Sequence, residues 1–303
     1  MPRKIFVLII NCFFLLAARG QDDSLRQVNY KQRKIVLGAS GALLTAGSLI
    51  YLNQAWYSDY STGKFHFFND NAEWLQMDKA GHFISNYQTS RLSMAAFKWA
   101  GFGEKQQLMI GGTIGVGYMT AIELMDGYSK GWGFSWTDEL MNVLGASAAI
   151  SQEAFWGEQR IQAKFSYAQS GLAGYNPSLL GKNPYTQVIK DYNGQTIWLS
   201  VNPSSFMKKN KKFPRWLSFA VGYGAYGMLG AESNNFVVQD PEGNVLKFER
   251  ARRWYLSLDV DLTRIRTKSK LLKGIFSVVN ILKFPAPALQ YSGSQFRFYY
   301  LYY

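Results

Sequence analysis

Residues 253–265 read Arg-Trp-Tyr-Leu-Ser-Leu-Asp-Val-Asp-Leu-Thr-Arg-Ile. Large apolar side chains alternate along this stretch with side chains that carry a hydroxyl or a carboxylate. The apolar set is Trp254, Leu256, Leu258, Val260 and Leu262, and the other set is Tyr255, Ser257, Asp259, Asp261 and Thr263. A period of two is typical of a β-strand, because successive side chains point to opposite faces. The stretch therefore predicts a strand with one face against lipid or a core and the other face in water.

Strand-like patterns continue on both sides of this segment. From residue 167 onward, turn-forming residues accumulate and the period of two replaces the period of 3.6. Further strands are predicted at 196–201, 216–229 and 295–303. Residues 270–282 favour a short amphipathic helix, and 240–243 favour a turn inside a hairpin. The last residues are aromatic, as in outer-membrane barrels, but about five or six strands are fewer than the eight of a closed single-chain barrel.

The part of the chain before residue 167 is helical in pattern. Four helices are predicted, at 35–52, 79–99, 107–125 and 136–154. The third contains four glycines, each of which weakens an isolated helix by roughly 1 kcal/mol, so close backbone packing should offset their cost. The first is borderline in length for a membrane span, which leaves a buried core helix and a membrane helix as alternatives.

These patterns predict an α+β fold in which an N-terminal bundle of about four helices precedes a β-rich C-terminal region. The predicted division is a signal peptide at 1–20, a polar leader at 21–34, a helical domain at 35–166 and a β-rich domain at 167–303.

The N-terminus has the features of a secretory signal peptide. Arg3 and Lys4 precede an apolar run, and small residues at Ala18 and Gly20 predict cleavage near Gly20. Cys12 is the one cysteine of the chain and lies inside the apolar run, which is a poor lipoprotein acceptor site, so lipidation is not predicted. A mature chain without cysteine excludes disulfides, a cysteine nucleophile and a thiolate metal site.

Charge and composition indicate the kind of partner. The formal net charge is +13, and only 17% of the residues are charged, below the roughly 25% usual for soluble domains. A basic exported protein is attracted to membrane lipid or another anionic envelope component. The export signal argues against nucleic acid. The predicted location is the cell envelope, facing the periplasm or in the outer membrane, and the sequence does not indicate an oligomeric state.

Candidate site residues begin at Asp78, Lys79 and His82. Asp78 and His82 are four residues apart, so they share a face of a helix that begins by Asp78. The alternative is that Asp78 is the N-cap of that helix, where a carboxylate accepts otherwise unpaired amide protons.

Glu123 and Asp126 form a second candidate pair. A carboxylate in the last turn of a helix opposes the helix dipole by roughly 0.3–1 kcal/mol, so Glu123 should lie near a cation, a proton or a metal. Asp126 precedes Gly127 and is also explained by turn chemistry that ends the helix.

Ser135, Asp138 and Asn142 open the fourth helix. The spacing of Ser135 and Asp138 fits a capping box, which is the structural explanation. Asp138 and Asn142 also share a helical face. We predict that this face meets His82 and Glu123 in one polar cluster, because a buried carboxylate needs a partner.

The ordered elements Asp78-Lys-x-x-His-Phe83, Glu123-x-x-Asp-Gly127, Gly133-Phe-Ser-x-x-Asp138 and Asn142-x-x-Gly145 resemble the YfiM-like family of predicted periplasmic or outer-membrane proteins of unknown function. They are more distantly similar to the VanZ-like membrane proteins, in which such elements lie on helices. The resemblance covers roughly 74–154 and implies an envelope location without implying a reaction.

Two functions follow from these observations. The first is a non-catalytic envelope protein whose polar cluster has a structural or binding role. The second is a hydrolase or transferase for an envelope lipid or cell-wall substrate, with His82 as general base, Glu123 or Asp138 orienting it and Lys79 binding an anionic group. Familiar nucleophile, nucleotide and zinc-protease motifs are absent from the sequence, so whether it is an enzyme stays open. No cofactor is predicted, and no metal, since one histidine gives few ligands for zinc.

Overall fold

The structure is a computed structural model that describes residues 29–54, 61–207, 213–234, 238–239 and 245–303. The predicted signal peptide with Cys12, most of the polar leader and the turn predicted at 240–243 lie outside the described residues.

The chain forms two compact units, each built from separate stretches of sequence. Of the described residues, the helical unit contains 29–54, 61–68, 85–158 and 262–279, and the sheet unit contains 69–84, 159–207, 213–234, 238–239, 245–261 and 280–303. Helices in the N-terminal half and an antiparallel sheet in the C-terminal part confirm the predicted α+β class. The predicted four-part division of the chain stays a prediction.

The four predicted helices are present, with longer bounds than the sequence indicated. They are α1 (Tyr30–Leu52), α2 (Met77–Trp99), a helical stretch composed of α3 (Glu104–Gln106), a π-helix (Gln107–Gly111) and α4 (Ile114–Tyr128), and α5 (Trp136–Trp156). Residues 77–84 of α2 belong to the sheet unit and the rest to the helical unit.

Close approach explains three of the four predicted glycines of the third helix, Gly111, Gly112 and Gly115, whereas a methyl group added at Gly117 would meet nothing within 4 Å. A methyl group added at Gly115 would lie 2.9 Å from Oδ1 of Asn86 on α2, which is closer than real contacts allow. At Gly127 an added methyl would collide with the ring of Phe65. The prediction that Asp126-Gly127 ends the helix is wrong: α4 continues to Tyr128, and Gly127 makes room for an aromatic ring.

Helix α1 lies on the outside of its unit. All 23 of its residues are described and none is buried. It is attached through Arg33, which donates to the Trp99 carbonyl at 3.1 Å and lies over the Trp99 ring, and through Ser48, whose Oγ accepts from the Tyr118 hydroxyl at 2.9 Å. The buried-core alternative for 35–52 is therefore wrong.

The sheet unit is built on six antiparallel strands in the order β1-β2-β3-β6-β7-β8. Their bounds are β1 Ile161–Tyr167, β2 Gln195–Val201, β3 Leu217–Tyr226, β6 Ala251–Val260, β7 Ala286–Ser292 and β8 Gln295–Tyr302. A short hairpin pairs β4 (Val238–Gln239) with β5 (Val245–Leu246). The edge of β1 also pairs with the segment before β7, since Phe165 N–H donates to Ile281 and its carbonyl accepts from Lys283.

Several sequence-based bounds need correction. The strand predicted at 253–265 ends at Val260, where a 3₁₀ turn follows at Leu262–Arg264. Strand β1 lies inside the region predicted to be helical, and β7 was not predicted. Two short helices, α6 (Pro177–Leu180) and α7 (Pro184–Lys190), were missed, and α8 covers Lys270–Val279 of the predicted 270–282.

The two faces of the sheet are inverted relative to a water-soluble sheet. On β6, Trp254 and Leu256 are 49% and 56% exposed, whereas Tyr255, Ser257 and Asp259 are 3%, 4% and 1% exposed. The prediction that the polar face of this strand meets water is wrong. That face lies inside the unit, and the apolar face lies outside.

Hydrogen bonds and an ion pair make the polar interior stable. Lys164 Nζ lies 2.7 Å from Asp259 Oδ2, and both side chains are almost fully buried. Asp259 also accepts from the Ser200 hydroxyl at 2.6 Å and from Phe284 N–H at 3.0 Å, and Lys164 donates to Asn280 at 3.0 Å. A buried charge is tolerated when it is paired and hydrogen-bonded.

Replacing Lys164 by methionine tests this pair. We expect Lys164→Met to lower the free energy of unfolding by about 3–5 kcal/mol, because Asp259 then loses the ammonium that contacts it. Urea unfolding of the purified protein in detergent measures the change. The matched control is Lys98→Met, whose ammonium is 4.0 Å from Glu153 and 69% exposed, and for which about 0–1 kcal/mol is expected. Equal losses in the two variants would contradict a stabilising buried pair.

Candidate functional site

The predicted site residues are divided between the two units. The sheet unit holds Asp78, Lys79 and His82, and the helical unit holds Glu123, Asp126, Ser135, Asp138 and Asn142. The prediction that His82 meets Glu123 and Asp138 joins residues of both units and stays a prediction.

In the helical unit, Glu123 lies against the start of α5. Its side chain is 1% exposed, and its Oε2 accepts a hydrogen bond from the Ser135 backbone N–H at 3.1 Å. The first amides of a helix carry partial positive charge, so a carboxylate at that position is stabilised. The structure thus gives Glu123 a polar partner that sequence reasoning did not foresee.

Ser135 is the N-cap of α5. Its hydroxyl accepts from the Asp138 backbone N–H at 3.2 Å, as the capping-box spacing predicts. Asp138 is buried in the first turn, where its charge is favourable to the helix dipole. Both residues therefore contribute to the start of one helix, and Asp126 lies within α4, not at its end.

Asn142 belongs to a chain of polar contacts between helices. Its Oδ1 accepts from Asn86 Nδ2 at 2.6 Å, and its Nδ2 donates to Glu139 Oε2 at 3.1 Å. Glu139 Oε1 accepts in turn from the Thr120 hydroxyl at 2.8 Å. The contacts join α2, α4 and α5, and Glu139 and Thr120 were not among the candidates from the sequence.

In the sheet unit, the chain enters α2 through an unusual turn. Trp74, Leu75 and Gln76 have φ angles of 48°, 49° and 63°, in the left-handed region that favours glycine. For other residues this conformation costs roughly 1–2 kcal/mol each. Strain of this kind persists only where surrounding contacts hold it, and it is concentrated at functional sites.

Residues of the sheet side hold that turn. The Ala231 carbonyl accepts from Trp74 N–H at 2.8 Å, the Tyr223 hydroxyl donates to the Leu75 carbonyl, and Arg252 donates to Gln76 Oε1 at 2.6 Å. The turn is thereby fixed to β3 and β6, and it sets the position at which Asp78 and Lys79 begin α2.

Asp78, Lys79 and His82 lie together in the first turns of α2. Lys79 Nζ is 2.6 Å from Asp70 and 3.4 Å from Asp78, and its side chain is buried. Asp78 accepts from the Tyr192 hydroxyl at 2.7 Å, and its Oδ1 lies 3.9 Å from His82 Nε2. Helix α2 begins at Met77, so Asp78 is in the first turn, and the N-cap alternative is wrong.

Glu73 adds a further ionisable group that sequence reasoning missed. Burial first, and then the neighbouring carboxylates of Asp70 and Asp78, raise the pKa of its carboxyl to about 7, although the Lys79 ammonium lowers it. The density of acidic residues at 70, 73 and 78 was the available signal. We name Asp70, Glu73, Asp78, Lys79 and His82 the acidic turn cluster. It offers a proton donor or acceptor near pH 7 and an ammonium already neutralised by carboxylates.

Comparison with known proteins gives one match. Residues 66–153 match a family model described as "Predicted periplasmic lipoprotein (DUF2279)". No curated protein and no solved structure matches the chain. The match spans 88 of the 303 residues, makes that segment similar to an uncharacterised periplasmic family and supports an exported cell-envelope location. The word lipoprotein is part of the description of that family and is not a finding about this chain.

The raised pKa of Glu73 predicts a pH-dependent stability. A folded-state pKa of about 7 against an unfolded value of 4.5 means that the folded state binds this proton more tightly. The stabilisation is complete below 4.5 and is lost as the pH rises through 7. Glu73→Gln should therefore be more stable than the wild type above pH 7, and this advantage should disappear below pH 4.5. Paired urea titrations in detergent measure it.

Glu104→Gln, at an exposed position at the start of α3, is the matched control. Its stability difference from the wild type should not change with pH in this way. A constant difference between Glu73→Gln and the wild type across this pH range would contradict the shifted carboxyl.

Proposed function

We propose that this exported envelope protein is a non-catalytic, membrane-associated component whose helical unit lies in or against a bilayer, with membrane lipid as its partner. The polar residues on its helices then have a structural role. Its resemblance to the YfiM-like and VanZ-like families fits this proposal.

The observation that carries the proposal is the apolar exterior of the helical unit. Large apolar side chains on α1, on the stretch Glu104–Tyr128 and on α5 are exposed: Ile35, Leu43, Ile50, Met109, Ile110, Ile114, Leu124, Trp136, Leu140, Val143, Leu144 and Phe155. By length and composition, two helices of the described chain could cross a membrane, Tyr30–Leu52 and Glu104–Tyr128. Soluble monomers rarely expose apolar surface on this scale, whereas membrane contact removes it from water.

The hydrogen bonds of the helical unit support a structural role for its polar residues. Ser135 caps α5, Glu123 accepts from the backbone N–H of that N-cap residue, and Asn142 links α5 to Asn86 on α2. Interhelical polar contacts of this kind hold helices together where lipid surrounds them and removes the hydrophobic drive between them.

Charged substitutions on α1 test membrane association. Leu43→Lys should release the protein from the membrane fraction or reduce its insertion, because a lysine near the centre of a membrane helix costs about 2.5–3.5 kcal/mol. Carbonate extraction of cell envelopes followed by immunoblotting measures this. Gln32→Lys, exposed in the polar first turns of the same helix, is the matched control and should stay with the membranes. A wild-type protein found in the soluble periplasm would overturn the proposal.

A second candidate function rests on the acidic turn cluster. The carboxylate of Asp78 lies 3.9 Å from His82 Nε2 beside a strained turn, so an acid and a potential histidine base are neighbours at ion-pair distance. This supports the alternative of a hydrolase or transferase for an envelope lipid or cell-wall substrate, with Lys79 near an anionic group.

His82→Ala separates the two functions. A catalytic role predicts that the variant fails to complement the envelope phenotype of a deletion strain, while its abundance and melting temperature stay unchanged. A structural role predicts lower abundance or a lower melting temperature, since loss of a buried partner typically costs about 1–3 kcal/mol. His66→Ala, at the other histidine of the chain and exposed, is the control.

A further inference from the structure

The outer face of the six-stranded sheet carries a continuous apolar surface. Cross-strand pairing brings Leu199, Val221, Leu256, Leu289 and Phe298 into one row across β2, β3, β6, β7 and β8. Phe219 and Leu258 pair beside this row. All seven side chains are exposed. At about 4.8 Å between strands, the row extends over roughly 19 Å.

A second row on the same face is aromatic. Tyr223 pairs with Trp254, Trp254 with Tyr291, and Tyr291 with Phe296. Tyr223 and Trp254 have ring centroids 4.7 Å apart, and Tyr291 and Phe296 have centroids 5.0 Å apart. Tyrosine and tryptophan are enriched where lipid headgroups meet acyl chains, because each ring has an apolar body and a polar edge.

A charged side chain follows the aromatic row. Along β6 the outward positions are Arg252, Trp254, Leu256 and Leu258, so the strand passes from a guanidinium through an aromatic ring to aliphatic chains. An arginine next to aromatic rings and aliphatic side chains suits a bilayer surface, because its long side chain reaches back to the phosphates while its neighbours contact the lipid. Arg252 is exposed, and its guanidinium has further N–H donors for a lipid phosphate besides the one that holds Gln76 Oε1.

The interior of the sheet explains why this face is apolar. The inner side holds the buried pair Lys164–Asp259 and its hydrogen bonds. Because side chains alternate along a strand, the apolar residues of the same strands point to the outer side. Polar residues inside and apolar residues outside are the arrangement of membrane β-sheets. In water the same face would be an aggregation surface.

We propose that this face is a lipid-binding surface that lies on a bilayer containing anionic lipid. The inference rests on the proposed membrane association and adds a contact separate from the helices. Net charge favours this occupant over a second copy of the chain, since the mature chain, which carries +10 without Arg3, Lys4 and Arg19, is attracted to anionic lipid and repelled by its own copy.

The outer edge of the sheet limits the depth of this contact. Among the described residues, β8 pairs with β7 on one side, and no strand pairs with its other side. Unpaired backbone groups of an edge strand are very unfavourable in hydrocarbon. The face therefore lies at the interface with its side chains directed into the lipid, and the sheet does not cross the bilayer.

Depth-dependent fluorescence tests the inference. With Cys12 the one cysteine of the chain, and inside the predicted signal peptide, a single cysteine can be introduced and labelled with an environment-sensitive dye. The full mature protein is reconstituted in vesicles of phosphatidylglycerol and phosphatidylethanolamine with brominated acyl chains. Dye at Leu256→Cys should shift its emission to the blue and be quenched by bromine. Dye at Ser178→Cys, an exposed position of the same unit outside the sheet, should show neither effect.

A binding measurement complements the label. Leu256→Asp should weaken the partition of the protein into these vesicles about tenfold, because it removes a leucine side chain that the lipid covers on binding and adds a charge. Leu256→Met should bind as the wild type does. A dye at 256 that stays unquenched while the protein remains membrane-bound through its helices overturns this inference alone, and failure of the wild type to associate with membranes overturns both proposals. A blue shift without vesicles, together with a dimeric mass, would show that a second copy covers the face and would also overturn the inference.

Discussion

A lysine ammonium and an aspartate carboxylate buried inside a β-sheet impose the constraint on which the sheet unit depends. Lys164 and Asp259 are 2.7 Å apart with almost no exposure, and charges in such a place must be paired and surrounded by further donors and acceptors. Those partners are the Ser200 hydroxyl on β2, the Asn280 side chain and the Phe284 amide, so polar groups must lie on the inner side of the sheet. Because side chains alternate along a strand, the apolar residues of the same strands are forced to the outside. The apolar exterior is thus a consequence of the polar interior.

The helical unit follows a related rule at its helix ends. Glu123 and Ser135 provide the first amides of α5 with acceptors, and Asn86, Asn142 and Glu139 connect three helices by hydrogen bonds. Polar contacts hold this unit together from within, while α1, α4 and α5 present apolar side chains outward. Both units therefore combine internal polar contacts with an apolar surface, which is the arrangement that suits a protein at a bilayer.

The acidic turn cluster differs from both. Three residues with left-handed backbone separate Asp70 and Glu73 from Asp78, the buried Lys79 and His82, and the pKa of Glu73 is raised to about 7. Stability alone does not favour such a collection of strain and like charge. Its position within the matched segment 66–153 places it in the part of the chain that is similar to a known family.

Local patterns in the sequence determined much of the architecture. Periodicity identified the four main helices, three strands to within a few residues and β6 with its end placed too late, because period and propensity are properties of short segments. Strand β1 has the same signal in Ile161, Ala163 and Phe165 against Gln162 and Lys164, and its position next to a helix concealed it. The left-handed turn at Trp74–Gln76 has no glycine to indicate it. Only the tertiary structure decided which face of the sheet is buried, that Lys79 pairs with Asp70, and that the amide of Ser135 meets Glu123. Alternation shows that two faces differ, but which of them turns inward depends on residues that are distant in sequence and become neighbours only in the folded chain.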